Sequence, residues 1–110
     1  MATECVRIKK IASVDAGILK AACMKIASLK GFSFKGSNPD QTKLKFKTGL
    51  SFFSWGETID IDIKNIQDRV QLEVRSRCAL STQVHDGGKN EQNVDKILYL
   101  ISTEVGMPLG

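Results

Sequence analysis

Aromatic residues make up only 6% of this 110-residue chain, and it holds two prolines, one histidine and three cysteines. Each scarcity excludes something. His85 with Cys5, Cys23 and Cys78 offers no CxxC and no Cys/His pair at zinc-finger spacing, so no metal site is expected. Three well-separated cysteines also make no disulfide framework, and they fit a reducing, cytoplasmic compartment. No apolar run approaches the roughly 18 residues of a membrane span. Met1 to Cys5 is followed by no stretch of signal-peptide type. What is present is 42% apolar and 25% charged, which is neither disordered nor low-complexity. The length fits one domain, 1–110, able to bury roughly two thirds of the surface its unfolded form exposes.

Charge is uneven. Residues 1–50 hold ten Lys/Arg against three Asp/Glu, whereas residues 51–110 hold six against nine. Such asymmetry marks some nucleic-acid or anionic surfaces. Here the basic residues alternate with apolar ones, so the simpler account is lysines coating one side of a helix and a strand.

The periodicities give an element list. Cys5 to Ile11 reads as a strand. Ser13 offers an N-cap oxygen to a helix from Val14 to Lys30, which Gly31 stops. Its apolar side is Ile18, Leu19, Ala22, Cys23, Ile26 and Leu29. Phe32 and Phe34 share a face of the next strand, and Ser37 to Asp40 turns the chain. Lys43 to Trp55 alternates Leu44, Phe46, Thr48, Leu50 and Phe52 against Lys43, Lys45 and Lys47, with a bend or bulge near Gly49 and Phe52-Phe53. Thr58 to Lys64 sends Ile59, Ile61 and Ile63 inward. After a turn at Asn65 to Asp68, Arg69 to Leu80 puts Val70, Leu72, Val74, Ser76, Cys78 and Leu80 on one face. The segment Ser81 to Asn93 is rich in turn residues. Asn90 is placed to cap a last helix, Glu91 to Val105, with the stripe Val94, Ile97, Leu98, Ile101 and Val105.

The order is β-α-β-β-β-β-α. Strands with one apolar face need a cover, which predicts a two-layer α+β sandwich: a five-stranded antiparallel sheet, order 1-5-4-3-2, with two helices on one face.

Three stretches stand out: Ser54-Trp55-Gly56-Glu57, Val74-Arg75-Ser76-Arg77, and Gln83 to Asn90, which contains Asp86-Gly87-Gly88-Lys89-Asn90. Together they resemble a group of small uncharacterised bacterial domains with a Trp-Gly-Glu turn, a strand ending in Arg-Ser or a similar pair, and an Asp-x-Gly-Lys-Asn helix start. The likeness covers about residues 43–105 and implies a compact α+β domain. In that group the residue between Asp and Gly is often large and apolar; here it is Gly87. The element order is also similar to a TATA-binding-protein half-domain, a likeness of fold alone.

Candidate sites follow. His85, Asp86, Gly88, Lys89 and Asn90 form a glycine loop at a helix start, where backbone N–H groups and the helix dipole favour an anion. It lacks the spacing of a P-loop, and a glycine turn feeding an Asn90 cap explains it more simply. Trp55 at a strand end can line an apolar pocket or plug the sandwich. Lys43, Lys45, Lys47, Arg75 and Arg77 make the outward sheet face basic, the alternative being a nucleic-acid module. Against that stand few aromatics for stacking and the acidic Asp60, Asp62 and Glu73 in its middle. Cross-strand pairs of Lys45 with Asp60 or Asp62, and of Arg75 with Asp62, are the simplest use of those carboxylates. No catalytic constellation and no cofactor motif is present. Met24, Tyr99 and Leu100 are scattered candidates for a surface contact. The expectation is a small non-catalytic ligand-binding or protein-interaction domain centred on Trp55 and the glycine loop.

Overall fold

The computed structural model describes residues 4–11, 14–49, 56–78 and 88–106. Its elements are β1 (Glu4–Ile11), α1 (Ala16–Met24) with a 3₁₀ turn (Lys25–Ser28), β2 (Phe32–Ser37), β3 (Lys43–Thr48), β4 (Glu57–Ile66), β5 (Arg69–Cys78) and α2 (Lys89–Val105). The strands form one sheet in the order β1-β5-β4-β3-β2, with every neighbouring pair antiparallel. The expected architecture is therefore the observed one.

Alternation decides the faces. Leu44 and Phe46 of β3, Ile59, Ile61 and Ile63 of β4, and Val70, Leu72 and Val74 of β5 are buried. They meet Leu19, Ala22, Cys23 and Ile26 of the first helical segment and Val94, Ile97, Leu98 and Ile101 of α2. The residues between them on each strand face outward. Phe34 stacks edge-on against Phe46, ring centroids 5.5 Å apart, where the core reaches the β2 edge.

Helix ends differ from the sequence expectation for local reasons. Asp15, not Ser13, caps α1: its Oδ1 accepts from the Gly17 N–H at 3.0 Å. Ser13 itself lies outside the described residues. The helix tightens after Met24 because the Lys25 N–H is shared between the Ala22 and Cys23 carbonyls, and Ser28 Oγ donates back to the Lys25 carbonyl at 2.6 Å. Ile18 is 55% exposed despite its place in the expected stripe. It sits a full 100° step from Leu19, at the margin of the buried arc. Met24 and Leu100 pack partly against the core, whereas Tyr99 is exposed.

β1 sends apolar residues to both faces. Its register sets Cys5, Arg7, Lys9 and Ile11 opposite Ser76, Val74, Leu72 and Val70, so these four share the helix-side face. Val6 and Ile8 consequently face outward, and Ile8 is 51% exposed.

Candidate functional site

Two places bring polar side chains together. One is buried at the end of the sandwich; the other is open on the outer sheet face.

The buried one is made of polar residues on apolar periods. Glu57 precedes Ile59 by two on β4, Ser76 follows Val74 by two on β5, and Asn90 and Asn93 precede Val94 by four and one on α2. Each therefore points into the core face, and all four are buried. Asn93 Nδ2 donates to Glu57 Oε1 at 3.0 Å and to Ser76 Oγ at 3.2 Å. Ser76 Oγ donates to Asn90 Oδ1 at 2.8 Å, and Asn90 Nδ2 lies 3.6 Å from Cys78 Sγ. Thr48 Oγ1 donates to Glu57 Oε1 at 2.9 Å and accepts from the Glu57 N–H at 2.7 Å. One bonded cluster thus ties the end of β3, the start of β4, the end of β5 and the first turn of α2. Gly56 is needed beside it: its φ is +91°, and a Cβ there would stand 2.8 Å from the Thr48 carbonyl oxygen.

Glu57, Ser76 and Asn90 come one from each of the three stretches singled out in the sequence. Their meeting makes a clamp between sheet and helix. The Ser76 hydroxyl donates to an amide oxygen, so no base activates it there.

The open site is a groove of about 570 Å³ on the outer face. Lys45, Asp60 and Arg75 cross its floor in one register row, and Lys43, Asp62 and Glu73 in the next. Arg77 closes one side. Lys35 to Asn38 close the other, where a register shift between Phe34 and Gly36 bends β2. The β2–β3 turn is pinned: Asn38 Oδ1 accepts from the Lys43 N–H at 2.9 Å, and Asn38 Nδ2 donates to Thr42 Oγ1 at 2.8 Å. Thr42 Oγ1 donates in turn to Asp40, which holds that carboxyl below its ordinary range.

Five cations and three carboxylates line this groove. Lys43 pairs with Asp62 at 3.1 Å and Arg77 with Asp60 at 3.3 Å; Arg75 stands 3.9 Å from Glu73. These replace the expected Lys45 and Arg75 pairs. Lys43 lies directly opposite Asp62, and Arg77 reaches the diagonal Asp60 with its longer side chain. Among the described residues, Lys35 and Lys45 have no carboxylate within 4.0 Å, and Arg75 Nε is buried with no hydrogen-bond partner.

Of the residues expected to bind, Lys43, Lys45, Arg75 and Arg77 line the groove, and Lys47 sits one row beyond, opposite Thr58. Trp55, His85 and Asp86 lie outside the described residues. Gly88 is the N-cap of α2 at φ +78°, and Lys89 is the first, exposed residue of that helix. The expected Asn90 cap is corrected: Gly88 takes that place, and Asn90, two residues further into the helix, directs its side chain to Ser76. Asn93 lies in the helix, as expected, but its side chain is buried. Among the described residues no group of three His, Cys, Asp or Glu is arranged to hold a metal ion. No helix among them is long and apolar enough to cross a membrane.

These features define a small α+β domain with an open antiparallel sheet. A solved structure of similar fold is the crystal structure of DynU16, a protein in the dynemicin biosynthetic locus, with a TM-score of 0.61 and 11% sequence identity. The match covers 98% of this chain and 49% of that one, so the chain spans about half the length of that protein. At that identity the likeness is one of fold. No protein-family model and no curated protein matches the sequence.

Proposed function

We propose that the chain is a non-catalytic binding domain that takes a small organic anion in the groove on the open face of its sheet. The observation that carries this reading is Arg75. It lies in the middle of the groove with its Nε buried and unpaired, while Lys35 and Lys45 stand nearby without carboxylate partners. A buried unpaired donor costs roughly 1–3 kcal/mol, and an anion bonded to it relieves that cost. The volume is of the size that small-molecule sites have. The buried clamp supports the reading indirectly, by fixing β4 and β5 and therefore the spacing of Asp60, Arg75 and Arg77.

A nucleic-acid ligand fits less well. Asp60, Asp62 and Glu73 run through the groove, and among the described residues no aromatic side chain lines it for stacking. Of the glycine loop, Lys89 is exposed at the start of α2 and offers a second contact for an anion. Three free cysteines suit a reducing, cytoplasmic setting.

The test is an amide-shift titration of ¹⁵N-labelled protein with citrate, repeated with a DNA duplex at two salt concentrations. Citrate is expected to move Lys35 to Asn38, Lys43 to Lys45 and Arg75 to Arg77, with about tenfold weaker binding after Arg75→Ala. Shifts spread equally over helix lysines such as Lys25 and Lys96, or an Arg75→Ala variant that binds unchanged, would overturn the proposal. A steep salt-dependent response to the duplex would replace it with the nucleic-acid reading.

A further inference from the structure

β1 is an edge strand. Among the described residues it has a strand on one side only, β5, and its eight residues contain neither a proline nor a bulge. Long regular edges are templates for another strand, and proteins ordinarily blunt them. Here the edge is also chemically incomplete, because its register turns Val6 and Ile8 to the outer face, where Ile8 is 51% exposed. The helix-side row of the same strand presents Arg7 and Lys9. Neither has a carboxylate within 4.0 Å among the described residues.

The sheet already shows which strand such a row selects. β3 alternates Lys43, Lys45 and Lys47 with Leu44 and Phe46, and β4 answers it with Asp60 and Asp62 alternating with Ile59, Ile61 and Ile63. Lysines face aspartates on one side and apolar residues face apolar residues on the other. The free edge of β1 asks for the same complement: acidic residues beside Arg7 and Lys9, apolar residues beside Val6 and Ile8.

A second copy of β1 does not supply it. Antiparallel self-pairing sets residues of one face opposite each other, and centring it on Ile8 places Arg7 of each copy against Lys9 of the other. Like charges directly opposite are destabilising. We therefore propose that the free edge of β1 docks an extended segment of a partner protein in which acidic and apolar residues alternate. Main-chain bonds to β1 supply affinity and the alternating side chains supply selectivity. This surface is separate from the outer-face groove.

The experiment uses the labelled full chain and an acetylated, amidated peptide of four Asp-Val repeats. Binding is expected to shift the amides of Glu4 to Ile11 and to slow hydrogen exchange at the alternate β1 amides that do not bond to β5. Arg7→Glu with Lys9→Glu is expected to weaken that peptide about tenfold and to accept a Lys-Val repeat instead. Two peptides N-methylated at alternate backbone amides, one for each register, test the strand geometry without touching the protein's own folding. One of the pair is expected to lose binding. If both methylated peptides bind as well as the parent, if a folded double variant binds the acidic peptide unchanged, or if the peptide shifts nothing in β1, the proposal fails. Shifts confined to Lys43, Lys45, Arg75 and Arg77 would also overturn it, since the peptide would then be an anion in the groove, and the groove reading would stand.

Discussion

The two faces of the central strands lie one residue apart in sequence and differ in almost everything else. On β3, Phe46 is fully buried and Lys45 exposed; on β5, Val74 is fully buried and Arg75 opens into the groove. The inner face is close-packed, with its polar atoms gathered into a single bonded cluster at one end. The outer face is charged, half-paired and concave. Alternation thus separates the packed core from the charged surface within the same strands, so the outer side chains are free to vary with little effect on the fold. The largest test of that division is Phe46→Ala against Lys45→Ala. Truncating a buried Phe costs about 3–5 kcal/mol, whereas an exposed substitution stays within about 0.5 kcal/mol. Urea unfolding of the two variants should show that gap, and similar values would erase the distinction between the faces.

The clamp tests the inner face where it is polar. Asn93→Ala removes one donor from Glu57 Oε1 and one from Ser76 Oγ, both buried. The expected loss is about 2–3 kcal/mol, because two buried acceptors each lose a hydrogen-bond donor. A double-mutant cycle with Ser76→Ala should give a coupling of about 1 kcal/mol. Independent, additive losses would mean that the cluster is a set of separate contacts rather than a unit.

The sequence showed most of the scaffold because periods of 2 and 3.6 persist through β3, β4, β5 and α2. It showed β1 poorly. Its apolar positions, Val6 and Ile8 on one side and Cys5 and Ile11 on the other, fit either face, and only pairing with β5 selects between them. The clamp was legible in principle, since Glu57, Ser76, Asn90 and Asn93 all occupy core positions of otherwise apolar periods. Asn90 by its type instead fits a helix cap, and Asn93 sits inside the expected helix but beside its apolar stripe, where such residues ordinarily face water. Burial overrode that preference, as a polar partner waited for each inside. The groove depends on the bend in β2 and on register, which no local pattern carries.

Alkaline pH probes the dryness of the inner face. Burial pushes the Cys23 thiol up to about 12 from its ordinary 9.0. The unfolded chain releases this proton near pH 9 while the folded chain keeps it, so its contribution is complete below pH 9 and is lost as pH rises towards 12. Measured at pH 7 and at pH 10.5, the stability gap between the natural protein and Cys23→Ala should narrow by about 2 kcal/mol at the higher pH. A constant gap would mean that water reaches Cys23 and that the inner face is wetter than its packing implies.

The smallest effect belongs to the outer face. Arg77 and Asp60 are 3.3 Å apart, with side chains 47% and 36% exposed. Pairs so open to solvent contribute roughly 0.2–1 kcal/mol, since both ions are largely solvated before they meet. Arg77→Ala is therefore expected to cost that little at low ionic strength and still less at 1 M salt, where the screening length falls to about 3 Å. Unfolding in the two salt conditions reads the difference directly. A loss above about 2 kcal/mol that salt does not reduce would be the signature of a buried pair. Arg77 would then belong to the fold rather than to the groove, and the outer face could no longer be treated as free for binding.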